Sequence, residues 1–367
     1  MVKRPRKAAL PAVSVSRSSI SHGLSASDTA HLTSLFARGT PENTIRAWES
    51  DLAYITAWRE LRIGAGPEWP ETEAVAMAFI LDHSRDLAGS SESDPARQVA
   101  QQLIDAGLRR NLSCPAASTL DRRIASWRAF HRMRNLQSPF EAPLLRQARQ
   151  KARKTADRSP SPKSAHPITR DVLKRLFEVS GPGMRGIRDR AILALGWASG
   201  GRRRSEIISL DRSDLDLNEF NEKGRIWLRL PGTKTTLRGE TPRLVLKGTP
   251  ARVVVAWIDA AEIKNGPLFR RITRHGTIGS RRLSAGGVAD IIRRLLEKAG
   301  YPGDYATAHG LRSGFLTQAA LDKAPLQAAM KLSLHKSPAQ AQRYYADVEL
   351  TDNPATSLFD LNGPQSK

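Results

Sequence analysis

Six residues of this chain could together break a phosphodiester bond: Arg203, Lys234, His309, Arg312, His335 and Tyr344. A tyrosine hydroxyl can act as nucleophile when cationic neighbours favour loss of its proton. Its attack makes the phosphorus five-coordinate and adds negative charge to the non-bridging oxygens. Two guanidiniums, Arg203 and Arg312, can hold those oxygens through paired N–H donors. Imidazoles such as His309 and His335 donate hydrogen bonds or carry protons near neutral pH. The Lys234 ammonium can protonate the departing sugar oxygen. None of these residues is unusual by itself. An arginine triplet or a lysine in a basic loop ordinarily belongs to a solvated surface, and a tyrosine pair such as Tyr344-Tyr345 ordinarily packs. Their order carries the information: arginine, lysine, His-x-x-Arg, histidine, then a tyrosine nine residues on.

The composition asks for a polyanionic partner. The chain has 367 residues, 58 basic against 36 acidic, and a formal charge of +22. Nucleic acid is the first candidate and an anionic membrane surface the second. The longest apolar run, Ala74 to Leu81, is far too short to span a bilayer, and no apolar segment follows the basic N-terminus. A single cysteine, Cys114, excludes an intrachain disulfide and a cysteine-based zinc cage. A reducing cytoplasm fits, with the protein on the nucleoid. No phosphate-binding loop and no acidic cluster spaced for two metals is present, so no cofactor is expected.

Two domains must position these residues. Residues 1–25 are Ser-, Ala- and Pro-rich, carry Lys3, Arg4, Arg6 and Lys7, and read as a flexible basic tail. Residues 26–150 read as a helical domain. Thr40 and Pro41 are placed to start a helix with an inward stripe of Ile45, Trp48, Leu52, Ile55, Trp58 and Leu61. Further helices are predicted from Glu71 to Leu87, from Ala96 to Leu108, and from Ser118 with Leu120, Ile124, Trp127 and Phe130 inward. The outer faces of the last helix carry Arg122, Arg123, Arg128, Arg132 and Arg134. Few acids match them, which makes these arginines, with Arg46, Arg202 and Arg204, candidates for contact with DNA phosphates. Residues 151–166 have the basic, Ser- and Pro-rich composition of a linker. From residue 167 helices return, with Thr169 as a cap and an apolar helix from Arg188 to Trp197. Alternation at Ile226, Leu228 and Leu230, and at Leu244 and Leu246, then predicts two antiparallel strands. A helix from Ser284 ends at Gly300. The fold class is thus mainly α with a small antiparallel β-sheet.

The ordered set resembles the tyrosine recombinase, or phage integrase, family. Arg203-Arg204-Ser205-Glu206 fits that family's Arg-x-Ser-Glu, with Glu206 as the acidic partner that orients the basic cluster. Gly232-Thr233-Lys234-Thr235 lies between the two strands, where the family places a lysine; Lys247 fits less well. His309-Gly310-Leu311-Arg312 matches the family's motif and its usual spacer. The family has Gly-His where this chain has Leu334-His335, a departure that touches the backbone before His335. Spacing from His335 selects Tyr344 over Tyr345 as nucleophile. The likeness covers the second domain closely, and the first loosely.

The resemblance implies a two-domain architecture: a helical, SAM-like core-binding domain and a mixed α/β catalytic domain over 167–349. It implies strand cleavage and rejoining through a 3′-phosphotyrosyl intermediate, without metal or nucleotide. The partner implied is double-stranded DNA, bound by a monomer that assembles into a tetramer on two sites, with room for DNA-bending accessory proteins. The tail 350–367, with Leu350, Leu358, Phe359 and Leu361, could dock on a neighbouring subunit or on its own domain. Integration of a mobile element is the expected role. A DNA-binding or architectural protein without catalysis is the alternative class. Type IB topoisomerases and telomere resolvases share the chemistry on other substrates.

Overall fold

The computed structural model describes residues 25–156, 163–231 and 241–351. The basic tail, the Lys234 turn and the apolar C-terminal residues Leu358, Phe359 and Leu361 lie outside the described residues. The chain forms two compact units, divided between Pro160 and Ser161. It is mainly helical, with a three-stranded and a two-stranded antiparallel sheet.

The first unit holds α1 (Ala26–Gly39), α2 (Glu42–Ile63), α3 (Glu73–Asp82), α4 (Pro95–Asp105), α5 (Ala117–Met133) and α6 (Pro143–Lys154). A reciprocal box between Ser25 and Asp28 starts α1. Thr40 does not start α2. Its hydroxyl donates 2.7 Å to the Phe36 carbonyl and closes α1, and Pro41 takes the cap position. Leu52, Ile55 and Trp58 form the buried stripe of α2. Trp58 and Trp127 meet Phe79 edge-on at the centre of the core. The helix α3 covers the apolar run but is shorter than the predicted span from Glu71 to Leu87. It stops at His83, whose Nδ1–H donates 2.7 Å to the Phe79 carbonyl. The first residues of the predicted linker, Lys151 to Lys154, are helix: α6 buries Leu145 and Ala152, and Arg149 pairs with Asp121 on α5 at 2.5 Å.

The second unit opens with α7 (Arg170–Val179), α8 (Met184–Ala198) and the short α9 (Arg204–Ser209). The sheet follows: β1 (Leu215–Asp216), α10 (Phe220–Lys223), β2 (Arg225–Arg229) and β3 (Arg243–Lys247). Its register sets Ile226 opposite Leu246 and Leu228 opposite Leu244, with all four side chains buried. Then come α11 (Thr249–Ala260), the hairpin β4 (Arg270–Ile272) and β5 (Ile278–Arg282), α12 (Ala285–Lys298), α13 (Gly310–Leu321), α14 (Leu326–Ser333) and α15 (Pro338–Thr351). The core is built on α8, where Ala191, Ile192, Leu193 and Leu195 are buried on several sides. This is why α8 from Ala191 onward reads as apolar all round.

The helix α13 is held by contacts that only a small residue permits. A Cβ on Gly314 would lie 1.9 Å from the Ile168 carbonyl oxygen. That carbonyl also accepts a 2.9 Å hydrogen bond from Trp197 Nε1. Gly314→Ala is therefore expected to cost roughly 2–3 kcal/mol through overpacking against rigid backbone. Thermal melting of the variant should show a drop of several degrees. An unchanged melting temperature would mean that α13 shifts freely.

Candidate active site

The second unit brings five of the predicted residues together. His309 is the N-cap of α13 and Arg312 lies in its first turn. Thr307 builds the start: its Oγ1 accepts from the His309 N–H at 3.2 Å and donates to the Lys163 carbonyl at 2.8 Å. Across from it, α15 presents Tyr344, whose hydroxyl is 3.2 Å from His309 Nε2. Tyr345 points elsewhere: it is buried, and its hydroxyl donates to the Ala324 carbonyl at 3.2 Å.

Arg312 is 5% exposed and fixed from two sides. Nη1 donates 3.2 Å to the Gly201 carbonyl, and Nη2 lies 3.0 Å from His335 Nε2. A guanidinium has no acceptor, so the His335 nitrogen facing it carries the lone pair. Nδ1, 3.2 Å from Nη2 but 2.7 Å from Ser333 Oγ, then donates to that hydroxyl. Gly201 has φ +72°, and a Cβ there would come 2.2 Å from the Arg312 Cα, so the turn and α13 meet backbone to backbone. Leu334 ends α14 with φ +54°. The left-handed turn leading into His335 is thus made by a leucine, at a cost of roughly 1–2 kcal/mol.

Arg203 stands at the cap of α9, half-buried, with Nη1 2.6 Å from Glu206 Oε1. The buried Glu206 carboxylate also accepts from the Arg203 backbone N–H at 3.2 Å. Lys234 lies outside the described residues. Among the described residues, Lys163 and Ser333 join the site unforeseen. Lys163 sits in a stretch of linker composition, and its position is signalled by nothing local. Ser333 is a helix-end serine whose partner only the fold reveals.

Both imidazoles are held neutral. Burial lowers the pKa of His309 to about 4, helped by the charges of Lys163, Arg312 and Arg203. Burial lowers His335 to about 4 as well, helped by Arg312, Arg203, Arg202 and His309. In the unfolded chain such rings take up protons below about pH 6.5. Unfolding therefore binds protons between about pH 6.5 and 4, and stability falls as the pH drops through that window while being intact above it. Proton NMR of the DNA-free protein should show both rings titrating near pH 4. Midpoints near 6.5 would contradict this environment.

The arginines expected on the surface divide. Arg132 and Arg204 are exposed and have no ion pair among the described residues. Arg46 is exposed but paired with Glu42. Arg122 pairs with the buried Asp51, and Arg128 donates 2.8 Å to Glu141. Arg123 lies 3.2 Å above the Tyr54 ring, and burial lowers its pKa. The shortage of matching acids in the linear sequence is thus partly met in the fold. Arg202 is the clearest correction. It is 1% exposed and turned inward, because the glycine turn before it brings the Leu332 carbonyl within 2.9 Å of Nη2.

The profile of the phage integrase family matches residues 167–350, which is half of the chain and holds Arg203, His309, Arg312, His335 and Tyr344. An integrase/recombinase xerD homolog of Selenomonas ruminantium is 26% identical over 329 residues, 87% of this chain and 86% of that protein. The tyrosine recombinase XerC of Pelotomaculum thermopropionicum is 29% identical over 259 residues, 69% of this chain and 77% of that one. In fold, the chain is similar to the Tn1549 transposon integrase solved with a circular intermediate DNA. The TM-score is 0.54 and the identity 15%, covering 88% of this chain and 98% of that one. No helix among the described residues is long and apolar enough to cross a membrane. With a tyrosine hydroxyl, two arginines and two neutral histidines converging inside the matched region, the chain belongs to the phage integrase family, the tyrosine recombinases.

Proposed function

We propose that this protein cleaves and rejoins DNA strands at specific sites through a 3′-phosphotyrosyl intermediate. The observation that carries the reading is the 3.2 Å approach of the Tyr344 hydroxyl to the neutral His309 Nε2. In that pose His309 accepts the tyrosine proton as the oxygen attacks phosphorus. Arg312 and Arg203 hold the non-bridging oxygens and take up the added charge. His335, neutral and oriented by Ser333, hydrogen-bonds within the same cluster. The bond from phosphorus to the 5′-oxygen breaks, and Lys234 supplies the proton to the leaving 5′-hydroxyl. A 5′-hydroxyl from another strand then attacks the phosphotyrosine and releases Tyr344.

The first unit serves as the core-binding domain, with Arg132 among its phosphate contacts, and four protomers on two duplexes perform the exchange. The role is movement of a mobile element, which the likeness to a transposon integrase supports. DNA from the flanks of the protein's own gene is the substrate to use. Two duplexes carrying that DNA should exchange strands when mixed with the protein, giving recombinant-length products. Relaxation of a single supercoiled circle without exchange would point to a topoisomerase. Tight, salt-sensitive binding with neither product would point to a binding protein.

A further inference from the structure

The active-site description leaves one charged group unused: Arg202, next to Arg203 but buried where Arg203 is partly exposed. It is 1% exposed. Nη2 donates 2.9 Å to the Leu332 carbonyl and lies 3.5 Å from the Gly200 carbonyl, and Nη1 is 3.7 Å from Glu206 Oε2. Nε has no partner among the described residues. Burying a guanidinium with an unmatched N–H is costly. Apolar replacements of such groups are often neutral or stabilising, so stability alone does not explain it.

The three groups around Arg202 share one property: each is tied to a residue of the cluster, by a direct contact or by at most three residues of backbone. Glu206 holds Arg203 at 2.6 Å. Gly200 precedes Gly201, whose carbonyl anchors Arg312 at 3.2 Å. Leu332 carries one of the final carbonyls of α14, which have no partner within the helix. Ser333, Leu334 and His335 follow directly, with Leu334 in the left-handed conformation. A cation at a helix C-terminus is favourable, and here it comes from a segment 130 residues away. The two segments touch without side chains between them: a Cβ on Gly200 would lie 2.3 Å from the Leu332 carbonyl oxygen.

We infer that Arg202 is a positioning residue for strand cleavage, tying the end of α14 to the turn before α9 so that His335 and Arg203 face one phosphate together. It touches no DNA. Through Leu332 it fixes where the chain leaves α14, and hence His335; through Glu206 it fixes the guanidinium of Arg203. The inference rests on the proposed cleavage reaction. Arg202 also adds its charge to the field that keeps His335 neutral.

The test compares wild type, Arg202→Met, Arg202→Lys and a stability control, Val254→Ala, whose buried side chain on α11 lies in the second unit's core. Each is assayed for binding and for single-turnover covalent cleavage of nicked gene-flank DNA, and His335 is titrated by NMR. Arg202→Met should bind DNA within about twofold of wild type and cleave 30-fold or more slowly at saturating DNA. Its His335 should titrate closer to pH 6.5, with His309 moved less. Arg202→Lys, which keeps the charge, should recover part of the rate and leave His335 nearer its wild-type midpoint. Val254→Ala should cleave near the wild-type rate despite its lower melting temperature. If Arg202→Met does not fold, Arg202→Lys carries the test, and a wild-type rate in it overturns the inference. Arg202→Met cleaving like the control with His335 unmoved overturns it too. So does a tenfold loss of DNA affinity with full cleavage at saturation, which would make Arg202 a DNA contact. Absence of any adduct with wild type would instead sink the proposed reaction, while the His335 titration would still report on Arg202.

Discussion

Tyr344→Phe is expected to bind DNA as tightly as wild type and to form no covalent adduct with it, a loss of at least about 10⁴-fold in cleavage. The substitution removes one oxygen. The ring stays where it packs, beside Phe315, Leu316 and Tyr345 at the end of the second unit. Melting should therefore change little, because the hydroxyl's one hydrogen bond among the described residues, to His309, is half-exposed. Tyr345→Phe gives the complementary result. Its hydroxyl donates to the Ala324 carbonyl, so the variant should lose about 1 kcal/mol of stability and keep its cleavage rate. Gel-shift binding and denaturing gels on the same samples separate these outcomes. Cleavage surviving in Tyr344→Phe would remove the central residue of the account.

Arg312→Lys carries the second large effect. It keeps the charge and loses the fork that holds Gly201 on one side and His335 on the other. Loss of one preorganised donor to a developing oxyanion typically costs about 10²–10³-fold. Cleavage at saturating DNA should fall by that amount, while affinity, spread over many phosphates, changes far less. Arg312→Ala should be worse in both respects. It leaves the Gly201 carbonyl buried without a donor, which adds roughly 1–3 kcal/mol of destabilisation. Equal cleavage by Arg312→Lys and wild type would mean that charge alone suffices, and that the guanidinium geometry is incidental.

Much of this site is legible in the linear sequence because its groups recur at short, helix-compatible spacings. His309 and Arg312 are three residues apart at the start of one helix. The paired strands follow from alternation at Ile226, Leu228, Leu244 and Leu246. Arg202 was not legible. Three arginines in a row look alike until the Leu332 carbonyl, 130 residues on, selects one of them for the interior. The same limit hid the helix α6, whose charged face satisfies itself on Asp121 across 28 residues. It also hid the pairing of Arg122 with Asp51, 71 residues apart. Leu334 shows the converse. A departure from the expected glycine suggests a shifted backbone, yet the chain takes the left-handed turn with a leucine whose side chain packs on the core. Local pattern reports periodicity well. It reports nothing about which charge a distant carbonyl or carboxylate will claim.

The most direct test of the account is to locate the covalent bond. Wild-type protein is reacted with gene-flank DNA nicked so that the cleaved fragment diffuses away, and the adduct is digested and sequenced by mass spectrometry. The account predicts a nucleotide attached through its 3′-phosphate to Tyr344, with the free DNA end bearing a 5′-hydroxyl. A nucleotide on Tyr345, or a 5′-phosphate linkage, would contradict it.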